Sequence, residues 1–176
     1  MRILKHVILG LLNRSSMSGY DITNEFHTTV SEFWTASHSQ IYPELKKLTE
    51  EGLVTYEIQI TGEVLEKKVY SITPKGKQQF INWLKIDVPM EPTPKSVFRL
   101  KIFFSDQLSP ERRKYLLNSQ ILQHRQRLEH LKANHQKFKN PPKMNSPELG
   151  DYLVLEGAIM REEMTLKWLE KCLDYT

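Results

Sequence analysis

The chain has 176 residues, 39% of them hydrophobic, with 25 Lys plus Arg against 21 Asp plus Glu for a formal net charge of +4. That length supports one domain of ordinary size or two small ones. A single cysteine, Cys172, excludes an internal disulfide framework, no apolar run approaches the roughly 20 residues that span a bilayer, and the N-terminus lacks a signal-peptide pattern, so a cytoplasmic location is expected.

In chain order, Ile3, Leu4, Val7, Ile8, Leu11 and Leu12 form an uninterrupted i, i+3/i+4 stripe, predicting a core helix that ends near Asn13. A second helix follows in SSMSGYDITNEF, capped by Ser18 and burying Ile22 and Phe26. Phe33 and Trp34, in the connection, are expected to pack under the next helix. That helix, SHSQIYPELKKLTEEG, has a divided surface. Ile41, Leu45 and Leu48 share one face, while Ser39, Tyr42 and Lys46 share another and offer a hydroxyl, a phenol and a cation of the kinds that meet phosphates and base edges. Ser37 and Gln40 form a capping box that starts the helix at about His38. Pro43 then falls inside it, removing one backbone bond and crowding the carbonyl of Ser39. Either the helix bends there or its first turn is irregular.

Gly52 terminates that helix, and VTYEIQI alternates Val54, Tyr56, Ile58 and Ile60 with polar residues as a half-buried strand. Gly62 supplies a turn, and LEKKVYSI returns as a second strand bearing Lys67 and Lys68. Thr73 and Pro74 cap a further helix carrying Phe80, Ile81, Trp83 and Leu84. Two helices followed by a basic-tipped hairpin make a winged helix-turn-helix, assigned to residues 1–88, with a joint at 89–94 around Pro89, Pro92 and Pro94.

Residues 95–176 read as a helical region. A short apolar helix covers Lys95 to Phe104, and Ser109, Pro110 and Glu111 open a long one. Along it Leu117, Ile121, His124, Leu128, Leu131, His135 and Phe138 alternate spacings of four and three, a heptad seam. NPPKMNSP breaks the chain, and Tyr152, Leu155, Ile159, Glu162, Leu166, Leu169 and Leu173 repeat the alternation. With no third long helix to cover two seams, a homodimer is expected through Leu117, Ile121, Leu128, Leu155, Ile159, Leu166, Leu169 and Leu173. The alternative is an intramolecular hairpin whose seams satisfy each other. The fold class is thus mainly α with a small β-hairpin, an N-terminal winged helix-turn-helix followed by a C-terminal α-helical dimerisation region.

Charge distribution qualifies the DNA reading. Residues 1–90 carry ten basic and ten acidic side chains, and residues 91–176 carry fifteen and eleven, so the excess lies wholly in the second half. DNA binding must therefore rest on the placement of Lys46, Lys67 and Lys68 rather than on bulk charge. Catalysis finds no support, because the glycines build no phosphate loop and no nucleophile elbow. The histidines show no i, i+4 pair and the lone cysteine no cluster, so no metal or cofactor is expected.

MRILKHVILGLL, SGYDIT, FWTASHSQIYPELKKLTEEGLVT, LEKKVYSITPKGKQQF and DYLVLEGAIMREE, in this order and spacing, resemble the PadR family of bacterial transcriptional regulators, especially the long members that include phenolic-acid-responsive repressors. The resemblance implies a non-enzymatic, dimeric repressor that binds double-stranded DNA with two-fold-related half-sites and is released by a small aromatic carboxylic acid. It maps DNA contacts to Tyr20, to Ser37, His38, Ser39, Tyr42 and Lys46, and to Lys67 and Lys68 of the wing. It implies an effector pocket between the winged domain and the C-terminal helices, drawing on Phe98, Lys101, Phe103, Phe104, Asp151, Tyr152 and Arg161. One departure stands out, since phenolate-responsive members are expected to have a histidine where this chain has Asp151. A winged-helix regulator without an effector, and a protein-interaction module that does not touch DNA, remain the competing readings.

Overall fold

The computed structural model describes residues 2–28, 30, 34, 36–61 and 65–176, without the side chains of Thr61 and Leu65. It divides into two compact units, Met1–Met90 and Glu91–Thr176. No helix among the described residues is long and apolar enough to cross a membrane.

The first unit is built on three helices, α1 (Ile3–Arg14), α2 (Gly19–His27) and α3 (His38–Glu50). Their stripes meet in one core that buries Ile8, Leu9, Ile22, Phe26, Ile41, Leu45 and Leu48. Ser18 caps α2 as its sequence position predicts: its hydroxyl accepts the Asp21 N–H, and its own N–H donates to Asp21 Oδ2 at 3.0 Å. Before α3, the Ser37 N–H donates to Gln40 Oε1 at 3.0 Å. The helix continues through Pro43, and its opening turn is tight, with the N–H groups of both Gln40 and Ile41 on the Ser37 carbonyl. The Gln40 bond is of the i to i+3 kind common at helix starts. Gly52, at φ 66°, ends α3 in the left-handed conformation that glycine adopts without strain.

Glu44 is buried on α3 and is compensated by Arg2, whose Nε lies 3.1 Å away. The same guanidinium meets Glu51, which Lys5 also approaches at 3.3 Å. Hydrogen bonds to these two carboxylates raise the Arg2 pKa, and Arg2 in turn lowers that of Glu51. The chain start is thereby tied to α3.

The hairpin is β2 (Val54–Thr61) against β3 (Leu65–Ile72), antiparallel, with Val54 opposite Ile72 and Ile58 opposite Lys68. A two-residue strand, β1 (Met17–Ser18), adds to the other edge of β3, giving the order β1-β3-β2. It is too short to leave a periodic signal. Of the alternating residues on β2 only Val54 is buried, whereas Ile58 and Ile60 are 55% and 73% exposed. The expectation of a half-buried strand holds only at its base, because the wing runs past the core that would cover it. Trp34 is 39% exposed and outside the core cluster, so it does not pack under α3; Phe33 and Gly62 lie outside the described residues.

α4 (Pro74–Leu84) is capped by Thr73, whose Oγ1 accepts the Gly76 N–H at 3.0 Å. A Cβ on Gly76 would lie 2.0 Å from the Leu53 carbonyl oxygen, so the close approach of α4 to the start of β2 requires glycine. His6 stacks on Trp83 at 4.6 Å and joins α1 to α4.

The second unit contains α5 (Val97–Phe103), a short 3-10 turn (Ser105–Gln107), α6 (Pro110–His135) and α7 (Pro147–Leu173). Ser109 and Ser146 cap the long helices, each followed by a first-turn proline. The heptad seams exist, but they face each other within one chain. Leu117, Ile121, Leu166 and Leu169 form one buried cluster with Leu128 and Leu173 against it, and Leu131, Leu155 and Ala158 form another with Ile159. Of the residues expected to join two chains, Leu117, Ile121, Leu155, Leu166 and Leu169 are buried within one chain, whereas Leu128, Ile159 and Leu173 are only partly covered there. The connection between α6 and α7 is long enough to fold them into a hairpin, so each seam covers the other. Polar residues on the seam pair too: Glu162 lies 2.5 Å from His124 Nδ1 and 3.1 Å from Arg127 Nε. Apolar side chains left exposed include Leu122, Leu153, Met160 and Met164.

Leu169 is fully buried, so Leu169→Ala should cost about 2–5 kcal/mol in denaturant unfolding. Charged residues at both Leu166 and Leu169 should abolish the helical circular dichroism of the second unit; recovery of well-folded chains would show that the seam is dispensable within one chain.

Candidate nucleic-acid interface

The first turns of α2 and α3 and the wing enclose a cleft of about 680 Å³. Tyr20, Tyr42, Lys67 and Lys68 line it, together with Gly19, Glu66 and Tyr70. Each helix supplies its exposed residue for a local reason. The buried stripe of α3 turns Ile41 and Leu45 inward, leaving Ser39, Tyr42 and Lys46 outward. The cap of α2 leaves Tyr20 74% exposed on the first turn.

Gly19 sets the contact between the two helices. A Cβ there would stand 2.8 Å from Cε1 and Cζ of Tyr42, so the phenol reaches the first turn of α2 only because residue 19 has no side chain. The His38 ring also lies against Tyr42, with centroids 4.4 Å apart and the rings tilted by 37°. Ser37 and Ser39 share a hydroxyl–hydroxyl hydrogen bond of 2.8 Å at the start of α3. Lys46 is largely exposed, 4.0 Å from Glu50, and is not part of the cleft lining.

The two wing lysines differ in their surroundings. Lys68 lies over the Tyr56 ring, 4.3 Å from its centroid. Lys67, on the neighbouring strand position, reaches Asp21 Oδ2 at 3.2 Å. Hydrogen bonds from Ser18 and then the Lys67 ammonium hold the Asp21 carboxyl below its ordinary pKa. Burial raises the phenol pKa of Tyr70 at the base of the cleft. Phenols, hydroxyls and cations arranged around two helix starts suit a polyanion whose edges also carry donors and acceptors.

Among the DNA-contact residues expected from the sequence, Tyr20, Tyr42, Lys67 and Lys68 come together in the cleft, with the His38 ring tilted against Tyr42; Ser37, Ser39 and Lys46 lie along α3 beside it. Sequence reasoning missed Gly19, Asp21 and Tyr70. A glycine directly after a cap, where glycine is a poor helix former, was the available signal for Gly19.

The residues expected to hold an effector do not share one place. Lys101 and Phe104 line a cleft of about 440 Å³ with Leu100, Leu108, Leu116 and Arg112. Phe98 instead packs edge-on to Trp168 at 6.2 Å, beside the α6/α7 core. Phe103 is 78% exposed and edge-on to Phe104. Asp151 is paired with Lys137 at 2.7 Å, and Tyr152 sits among His135 and Phe138. Arg161 is on the exposed side of α7. None of the residues from Asp151 to Arg161 lines the Lys101 cleft. Arg112 was missed from sequence.

Residues 8–82 match the family model described as transcriptional regulator PadR-like family, and residues 94–175 match that described as virulence activator alpha C-term. The negative transcriptional regulator PadR of Bacillus subtilis is 43% identical over 176 residues, covering 98% of this chain and 97% of that protein. The crystal structure of Bacillus subtilis PadR in complex with operator DNA is similar at a TM-score of 0.93 and 44% identity, covering 99% of each chain. The structure of the same protein with p-coumaric acid gives 0.87 and 42%, covering 99% of this chain and 98% of that one.

Proposed function

The chain belongs to the PadR-like family of transcriptional regulators, and we propose that it is a dimeric DNA-binding repressor released from a two-fold-related operator by a small aromatic carboxylic acid. The observation that carries this reading is the convergence of Tyr20, Tyr42, Lys67 and Lys68 on one cleft at the helix-turn-helix, in a chain 44% identical to a relative solved on operator DNA. In the proposed division of labour Ser37, His38, Ser39 and Tyr42 meet base edges and neighbouring sugars, and Lys46 and Lys68 neutralise phosphates. A cytoplasmic location goes with a DNA partner.

With the seam occupied inside each chain, the proposed dimer uses the exposed apolar side chains of the second unit, among them Leu122, Met160 and Met164. The proposed effector site is the cleft at Lys101, Phe104 and Arg112, where two cations face an apolar wall. Such a lining suits an aromatic ring with a carboxylate. The relative's complex with p-coumaric acid supports that ligand class. Asp151 is no obstacle, since its charge is met by Lys137.

Tyr42→Ala should lower the preference for operator over random duplex, and Gly19→Ala should do the same by displacing the phenol while leaving the thermal midpoint nearly unchanged. Equal losses on both duplexes in a fluorescence anisotropy titration would remove Tyr42 from base reading. Lys68→Ala should weaken binding to every duplex alike and flatten the plot of log K against log salt by about 0.9. Lys101→Met combined with Arg112→Met should leave DNA binding intact and abolish release by p-coumaric acid; undiminished release would move the effector elsewhere.

A further inference from the structure

Asp21 is an acid at the edge of a surface that reads as a phosphate binder, and its geometry gives it a use. Its carboxylate accepts the Ser18 N–H at 3.0 Å and the Ser18 hydroxyl at 2.6 Å, and it faces the Lys67 ammonium at 3.2 Å. One carboxylate thus joins the cap of α2 to the wing. The two side chains of the ion pair are 45% and 40% exposed. Lys67 and Asp21 therefore stay within reach of an incoming phosphate, and an ion pair this exposed is weak enough to be exchanged.

Resting on the DNA-binding reading, we propose that Asp21 is a specificity-determining residue: it holds Lys67 back from the DNA backbone, so that the cation is given up to phosphate only where the rest of the surface fits. Phosphate contacts stabilise every sequence alike, so a cation withheld from the backbone weakens non-operator binding and leaves discrimination to α3. Among the described residues, no carboxylate is paired with Lys68 in this way. Lys68 lies over Tyr56, on the other face of the strand from Lys67, and keeps its charge available. The two adjacent lysines then have different roles: Lys68 contributes to binding on all DNA, and Lys67 is conditional.

The test is Asp21→Asn, which keeps an oxygen for the Ser18 N–H and removes the charge. Binding of the full chain to operator and to scrambled duplex is measured over a range of salt, with a thermal melt to establish that the variant is folded. Asp21→Asn should tighten binding to scrambled duplex, steepen its salt dependence by about 0.9 and reduce the operator-to-scrambled ratio. Lys67→Met should remove that gain when combined with Asp21→Asn. An unchanged or shallower slope in folded Asp21→Asn would overturn the proposal, by making Asp21 a support that presents Lys67 to DNA. The same gain in the Lys67→Met background would also overturn it, by reducing Asp21 to a general repulsive charge. Wild-type chains that bind neither duplex would overturn the DNA reading itself, whereas wild-type binding with no effect of Asp21→Asn would defeat this inference alone.

Discussion

The rotation of α3 about its own axis is the constraint on which the surface proposed to face DNA depends. Ile41, Leu45 and Leu48 are fully buried, and each such side chain stabilises the inward orientation by roughly 1.5–3 kcal/mol. A slip of one residue would turn the helix by about 100°, exposing part of that stripe and driving polar groups into the core. Glu44 reinforces the setting, because its buried carboxylate needs Arg2 and the helix cannot turn without separating them. With the phase fixed, Ser39, Tyr42 and Lys46 face outward, and the absence of a side chain at Gly19 lets Tyr42 close onto α2. Specificity, in this account, is a consequence of packing behind the surface as much as of the groups on it.

Electrostatics acts on a finer scale than net charge. The first ninety residues hold equal numbers of basic and acidic side chains, so their attraction to DNA comes from where the lysines stand and what each is bonded to. Lys46 is largely solvent-exposed, Lys68 leans on an aromatic ring, and Lys67 is matched by Asp21. A neutral domain with a few placed cations limits sequence-independent binding, which leaves a larger share of the free energy to base contacts.

Helices were legible in the sequence because their signals are local: the capping residues Ser18, Ser37, Thr73 and Ser109 and the apolar stripes lie within a turn or two of one another. The hairpin was legible as well, through alternation. What could not be read depends on residues distant in the chain. The contact between Gly19 and Tyr42, the bond from Asp21 to Lys67, and the cleft that adds Arg112 to Lys101 and Phe104 all require the fold. The exposure of Ile58 and Ile60 shows the limit of periodicity, which marks a face but not whether anything covers it. The α6 and α7 seams make the same point, since the heptad pattern marks the apolar face but not whether the same chain or another covers it; here each helix covers much of the other.

Genome-wide capture of DNA bound by the full chain, repeated after adding p-coumaric acid, tests the central claim most directly. The account predicts a small set of sites sharing an inverted repeat with half-sites about one helical turn apart, and loss of those sites with the acid present. Captured fragments with no common motif, spread according to DNA abundance alone, would contradict it.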